Sequence, residues 1–194
     1  PRTTLANSCI AESVMRIGNL ECAIAAASRA SYKAHPLVLG PEAIDRVAAA
    51  RFTALNLANN HVYDAGGGCF ADMLGELRRR CGTQFYGLKD SPYAVLEEKD
   101  RRCAVIGCLE RCRARGPAIF REEDVLELIA GLRSRFDRVV VTPHWGKEGE
   151  FAAHPSPRQR ALARRWIEAG ADAVLGHHAH AVQGREWLRG RPVF

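Results

Sequence analysis

No apolar run in these 194 residues approaches the roughly 20 that a membrane-spanning helix needs, so nothing within this stretch is expected to cross a bilayer. A Cys-x-x-Cys pair is missing too. The seven cysteines form an odd, scattered set that reads as reduced thiols packed as small hydrophobes, which points to a cytoplasmic setting. Cys108 and Cys112, flanking an expected strand end, are the one pair spaced to serve as zinc ligands. Internal repeats and low-complexity tracts are absent. Aromatic residues do not interleave with the arginines as a groove for single-stranded nucleic acid requires, so no nucleic-acid partner is expected. There is no aspartate before Asp45, and Pro1 is not a start methionine. Phe194 closes a strand-like run with no tail. The chain therefore reads as one domain over residues 1–194, trimmed at both ends from a longer protein. An anchor upstream would place it at the cell envelope instead.

What is present is ordinary for a globular protein: 47% hydrophobic and 26% charged residues. The net charge of +6 permits an anionic partner, either a small molecule or a polymer. Much of the excess lies in Arg78, Arg79 and Arg80 and in Arg158, Arg160, Arg164 and Arg165, on helix-like stretches where a solvated face is the plain reading.

In chain order, residues 13–20 look like a short strand running into Glu21, while 23–33 give no sharp signal. Pro41 opens a helix over 42–51, and 52–58 is a buried strand delivering Asn59, Asn60 and His61. Gly66, Gly67 and Gly68 read as a flexible connector before a helix over 70–80, with Gly82 as its stop. Residues 93–98 and 102–108, joined by Lys99 and Asp100, form a hairpin. The helix at 122–135 puts Val125, Leu128, Ile129 and Leu132 on one face. A β-branched strand, 138–142, ends at Pro143 and His144. Ser156 caps a helix with Pro157 at its first position and Gly170 at its end. There Leu162, Ala163, Trp166 and Ile167 face the sheet. A short strand at 171–175 runs into Gly176-His177-His178-Ala179-His180, and a last hairpin turns at Arg189 and Gly190. This alternation argues for a layered α/β fold.

Three of the seven histidines fall between positions 177 and 180. If the chain stays extended there, alternation sends His178 and His180 to one face and His177 to the other. Four strand ends deliver Asn, Glu or His: Asn19 with Glu21, then Asn59, Asn60 and His61, then His144, then His178 with His180. Mixed nitrogen and oxygen donors suit borderline or hard divalent ions such as Zn²⁺, Mn²⁺ or Fe²⁺. A carboxylate can bridge two such ions. Each residue also has a plainer use. The histidines could form a surface cluster, Glu21 an exposed acid, Asn60 a turn, His61 a carbonyl cap and His144 a contact for Trp145. His35 and His154 follow no strand and receive no role.

The runs Gly18-Asn19-Leu20-Glu21, Leu57-Ala58-Asn59-Asn60-His61 with Asp64, His144-Trp145-Gly146, and 170–180 with Gln183-Gly184 resemble the CapA family. Its members are bacterial capsule-synthesis, poly-γ-glutamate-associated proteins of the calcineurin-like metallophosphatase superfamily. The resemblance implies a four-layer αββα sandwich with a site for two divalent ions (Mn, Fe or Zn) at the strand ends. It implies that Glu21 is a bridging carboxylate and Asn60 a metal ligand. His144 and His178 would then bind one ion and His180 the other. His61 would protonate the leaving group, oriented by Asp64. The family's first-motif Gly-Asp has no counterpart here, so that ligand lies upstream of Pro1 or is lost. The Ser-Leu-Gly-Asn-Phe-like segment of the family would begin after Phe194.

Two functions follow. One is a metal-dependent phosphoester hydrolase linked to capsule or poly-γ-glutamate biosynthesis. The other is a non-hydrolytic assembly or export factor for an anionic envelope polymer. The intact His61 favours the enzyme. A zinc-stabilised scaffold is disfavoured, because closed structural sites use Cys and His rather than Asn and Glu.

Overall fold

The computed structural model describes residues 15–26, 35–110, 121–147 and 154–194. Cys112, and parts of the expected strand at 13–20 and of the stretch 23–33, lie outside the described residues. The elements run β1 (Ile17–Asn19), β2 (Ala23–Ile24), β3 (Val38–Leu39), α1 (Ala43–Ala49), β4 (Ala54–Asn56), α2 (Gly67–Arg80) and β5 (Gln84–Tyr86). They continue with β6 (Tyr93–Glu98), β7 (Arg101–Leu109), a 3-10 turn (Glu122–Asp124), α3 (Val125–Arg133), β8 (Arg138–His144), α4 (Pro157–Ala169), β9 (Ala173–Val174), β10 (Glu186–Leu188) and β11 (Arg191–Val193).

Strands β1, β4 and β5 form a parallel three-stranded sheet with Asn19, Asn56 and Tyr86 in register. A six-stranded sheet has the order β10-β11-β9-β8-β7-β6, and its centre is parallel, pairing Leu109 with His144. A parallel β2-β3 pair stands apart.

Strand alternation sorts the core into layers. On β8, Val139 and Val141 pack under α3 and α4 with Ile129, Leu162, Trp166 and Ile167, while Val140 turns to the opposite face. On β7, Ala104 and Ile106 join the helices, and Val105 turns with Val140 toward Ala54 and Tyr86 of the small sheet. Leu55 and Phe85 face the other way, onto Ile44 of α1 and Phe70, Met73 and Leu77 of α2. The result is helices, sheet, sheet, helices: the expected four-layer αββα sandwich. Among the described residues, no helix is long and apolar enough to cross a membrane.

Three buried polar groups join the two sheets. Asn56 Nδ2 donates to the Thr142 carbonyl at 3.0 Å, Tyr86 Oη lies 3.1 Å from Thr142 Oγ1, and Thr142 Oγ1 donates to the Ile106 carbonyl at 3.0 Å. Burial pushes the Tyr86 hydroxyl far up, so it stays a neutral hydrogen-bonding group. A Cβ at Gly87 or Gly107 would collide with Asn56 Oδ1, so both positions need glycine for this approach. Strands β4 and β8 are thus tied together just before the residues they deliver.

Several local expectations are met. The hairpin turns at Lys99, whose φ is +53°, and the last one at Arg189 and Gly190, both of positive φ. Helix α4 starts with a full capping box between Ser156 and Gln159, with Pro157 inside it, and stops at the left-handed Gly170. Its Leu162, Ala163, Trp166 and Ile167 are buried, and Arg158, Arg160, Arg164 and Arg165 are exposed. Trp166 stacks on Trp145 at 5.3 Å between ring centroids.

Two expectations need correction. Gly66 to Gly68 are no connector: Gly66, at φ +94°, caps α2, and Gly67 and Gly68 form its first turn. The chain also does not stay extended through the histidines. It bends after His177, with φ of +94° at His178 and +51° at His180.

Candidate metal centre

Four strand ends meet on one rim. Residues Asn19 to Glu21 leave β1, Asn59 to His61 leave β4, His144 ends β8, and His177 to His180 leave β9. The main chain aligns the last two, since the His177 amide donates to the Pro143 carbonyl at 2.9 Å and the Trp145 amide to the His177 carbonyl at 3.2 Å. Gly176 is squeezed against the Trp145 indole, where a Cβ would sit 2.5 Å from Nε1.

His144 is buried at the centre. Its Nε2 lies 2.7 Å from Asn60 Oδ1 and 3.3 Å from Glu21 Oε1. Its ring stands 4.5 Å from that of His178, and the His178 and His180 rings are 6.4 Å apart. His180 Nε2 is 3.6 Å from the same Glu21 Oε1. Glu21, His144 and His178 each bring a ligand atom within 4.8 Å of the others. His180 is the most open of the set, its side chain 55% exposed.

Glu21 shows what the cluster is suited to hold. Burial raises its carboxyl, but the contact with His144 and the fields of His144, His180 and His61 outweigh this and keep it below its ordinary 4.5. Its Oε2 accepts from Asn19 Nδ2 at 3.0 Å, whereas Oε1 is buried without an aligned hydrogen bond and faces two imidazoles. A buried anionic oxygen among imidazole nitrogens fits a divalent cation, which would satisfy all of them at once.

Beside this group, His61 Nδ1 lies 2.6 Å from Asp64 Oδ2. Asp64 is fully buried, and the same oxygen accepts the Leu37 amide at 2.8 Å. The structure therefore brings Glu21, Asn60, His144, His178 and His180 together and pairs His61 with Asp64. His35 and His154 are exposed.

Three residues gained no role from the sequence. Asn19 donates to the candidate ligand Glu21, and Asn59 donates to Asn19. Glu110 follows β7 and lines a cleft of about 60 Å³ with Asn60, His144, Trp145, Gly146 and His178. The signal for Glu110 was available, because β7 is a fifth strand ending in a polar donor. Glu110 accepts the Gly146 amide at 2.8 Å and pairs with Arg158. A roomier cavity of about 360 Å³, lined by Ile24, Ile44, Cys69, Asp72 and Met73, contains none of the site residues. Of the proposed zinc pair, Cys108 is fully buried with its thiol pushed far up by burial.

The model of the family described as bacterial capsule synthesis protein PGA_cap matches residues 4–194. The capsule biosynthesis protein CapA of Bacillus anthracis is 32% identical over 160 residues, covering 73% of this chain and 38% of that protein. The PGA biosynthesis protein CapA of Bacillus subtilis is 31% identical over 157 residues, covering 74% and 40%. The chain thus spans about two fifths of these relatives' length. Among solved structures, a 5'-nucleotidase precursor from Thermus thermophilus superposes with a TM-score of 0.54 at 19% identity, over 78% of this chain and 34% of that one. The NAD nucleotidase of Haemophilus influenzae gives 0.50 at 17% identity, over 76% and 30%. What is shared at such identities is the fold.

Proposed function

The chain belongs to the bacterial capsule synthesis protein PGA_cap family, and from that premise we propose that its strand-end rim is a metal-dependent phosphoester hydrolase site of the calcineurin-like metallophosphatase type. The observation that carries this reading is Glu21 Oε1, a buried carboxylate oxygen without an aligned hydrogen bond, 3.3 Å from His144 Nε2 and 3.6 Å from His180 Nε2. Glu21, Asn60, His144 and His178 would hold one divalent ion, and Glu21 with His180 would begin a second site. Such ions supply Lewis acidity toward phosphoryl oxygens and lower the pKa of water.

The protein's own residues do the rest. Asp64 fixes the His61 ring through Nδ1, which leaves Nε2 as the nitrogen that hands a proton to the departing oxygen. The Leu37 amide on Asp64 holds that carboxylate in place. Substrates are anionic, small or polymeric, in keeping with the net charge of +6.

The alternative, a non-hydrolytic factor that assembles or exports an anionic envelope polymer, is favoured by one observation. Among the described residues Glu21, His144 and His178 bring ligand atoms within 4.8 Å of one another, enough to hold a single ion that serves structure or binding.

The test uses the full-length protein with Mn²⁺ and a panel of phosphomonoesters and phosphodiesters. His61→Asn should retain metal yet lose on the order of 10²–10⁴ in kcat on substrates with poor leaving groups, and much less with p-nitrophenolate. Asn60→Ala should shed metal and slow both substrate types alike. A protein that binds its metals and hydrolyses nothing across the panel overturns the hydrolase reading in favour of polymer handling.

A further inference from the structure

Asn59 is a buried amide, 1% exposed, whose orientation is dictated by main-chain groups of fixed polarity. Its Oδ1 accepts the His61 amide at 3.0 Å, and its Nδ2 donates to the Leu20 carbonyl at 2.9 Å. A flipped amide would set oxygen against oxygen and nitrogen against N–H, so one orientation is allowed. The second proton of Nδ2 then meets Asn19 Oδ1 at 3.2 Å, which fixes the Asn19 amide in turn. Asn19 must present its NH₂ outward, where it donates to Glu21 Oε2 at 3.0 Å and lies 3.5 Å from His144 Nδ1.

We propose that Asn59 and Asn19 form a polarity relay that positions the Glu21 carboxylate. The relay engages Oε2 and so turns Oε1 toward His144 and His180. Both are positioning residues rather than ligands, and the inference rests on the metal-site reading above. It accounts for two adjacent asparagines at the end of β4: Asn60 faces His144, and Asn59 faces back to the main chain and to Asn19. The relay also couples the β1 loop to the β4 loop, so that a disturbance at Asn59 reaches Glu21 without touching it. Removing partners that orient metal ligands typically weakens metal binding about 10–100-fold.

The experiment titrates Mn²⁺ into the metal-free full-length protein, its Asn19→Leu, Asn59→Asp and His144→Ala variants, and an Ile129→Val control in α3, with thermal midpoints measured in parallel. Asn59→Asp keeps the acceptor for His61 but faces the Leu20 carbonyl with oxygen and forces the Asn19 amide over. Both asparagine variants should weaken Mn²⁺ binding about 10–100-fold. Ile129→Val should lower the midpoint and leave affinity unchanged, which separates positioning from general loss of stability. Should Asn19→Leu not fold, the near-isosteric Asn59→Asp decides alone. Wild-type affinity in the asparagine variants, alongside lost binding in His144→Ala, overturns the relay and leaves the metal site standing. If the wild type binds Mn²⁺ no better than His144→Ala, the metal reading falls and the relay with it.

Discussion

The two sheets contribute to the rim by different means. The three-stranded side supplies oxygen donors, Glu21 and Asn60, from loops after β1 and β4 in which no described non-glycine residue has positive φ. Side-chain hydrogen bonds hold this half: Asn59 to Asn19 and Asn19 to Glu21, with Asp64 pairing His61 beside them. The six-stranded side supplies nitrogen donors, and two of them, His178 and His180, sit at positive φ. Such conformations persist only where the surroundings over-determine them. Here the surroundings are the main-chain bonds of Gly176 to Phe194 and of His177 to Pro143, with Trp145 packed beneath Gly176. One half of the site is held by buried amides, the other by a packed and strained turn.

Removing the packing under the strained half should have the largest effect. Trp166 is 1% exposed and stacks on Trp145, which in turn supports Gly176. Trp166→Ala should cost about 3–5 kcal/mol in urea unfolding through the cavity it leaves, and should weaken Mn²⁺ binding as the turn relaxes. A loss below about 1 kcal/mol would mean that the histidine turn does not depend on this stack.

Acid should divide the halves by pH window. Burial, with the field of His144, lowers His177 from its ordinary 6.5 against the pull of Glu21. Below pH 6.5 the unfolded chain therefore takes up a proton that the folded chain resists, and stability falls as pH drops toward the folded value. Glu21 is held below 4.5, so its contribution is present above that pH and is lost as pH falls through the folded value. Urea midpoints of the metal-free protein should decline in both windows. His177→Gln should flatten the upper decline and leave the lower one; an unchanged upper slope would remove His177 from the account.

The layered order was legible because long elements carry their period openly. Strands β7 and β8 are apolar on both faces, and α4 announces itself with Ser156, Pro157 and Gly170. Strands β2, β3 and β5 were not legible. With two or three residues each, they show no alternation, and their strand state comes from pairing with distant partners. The site's residue types were readable from the repeated delivery of Asn, Glu and His at strand ends. Its geometry was not: alternation would place His178 beside His180 on an extended chain, whereas the bend after His177 does so by positive φ. Nor does composition say which of two neighbouring asparagines turns toward the rim, since main-chain partners distant in sequence decide it.

The smallest effect tests the strain itself. His180 has φ of +51° and a side chain 55% exposed, so backbone rather than packing dominates its energetics. An L residue in the left-handed region costs about 1–2 kcal/mol. Glycine removes that cost but loses about 0.5–1 kcal/mol through the greater freedom of its unfolded chain. His180→Gly should therefore stabilise the metal-free protein by at most about 1.5 kcal/mol. Alanine keeps the unfavourable φ and should rank below glycine by a similar amount. Both variants lose the contact with Glu21, so that loss cancels in the glycine-to-alanine difference. Both should also bind Mn²⁺ equally poorly, since neither has an imidazole. Urea midpoints of the two metal-free variants decide the matter. If alanine proves as stable as glycine, the histidine turn stores no strain, and the contrast between the two halves of the rim collapses to one of donor chemistry.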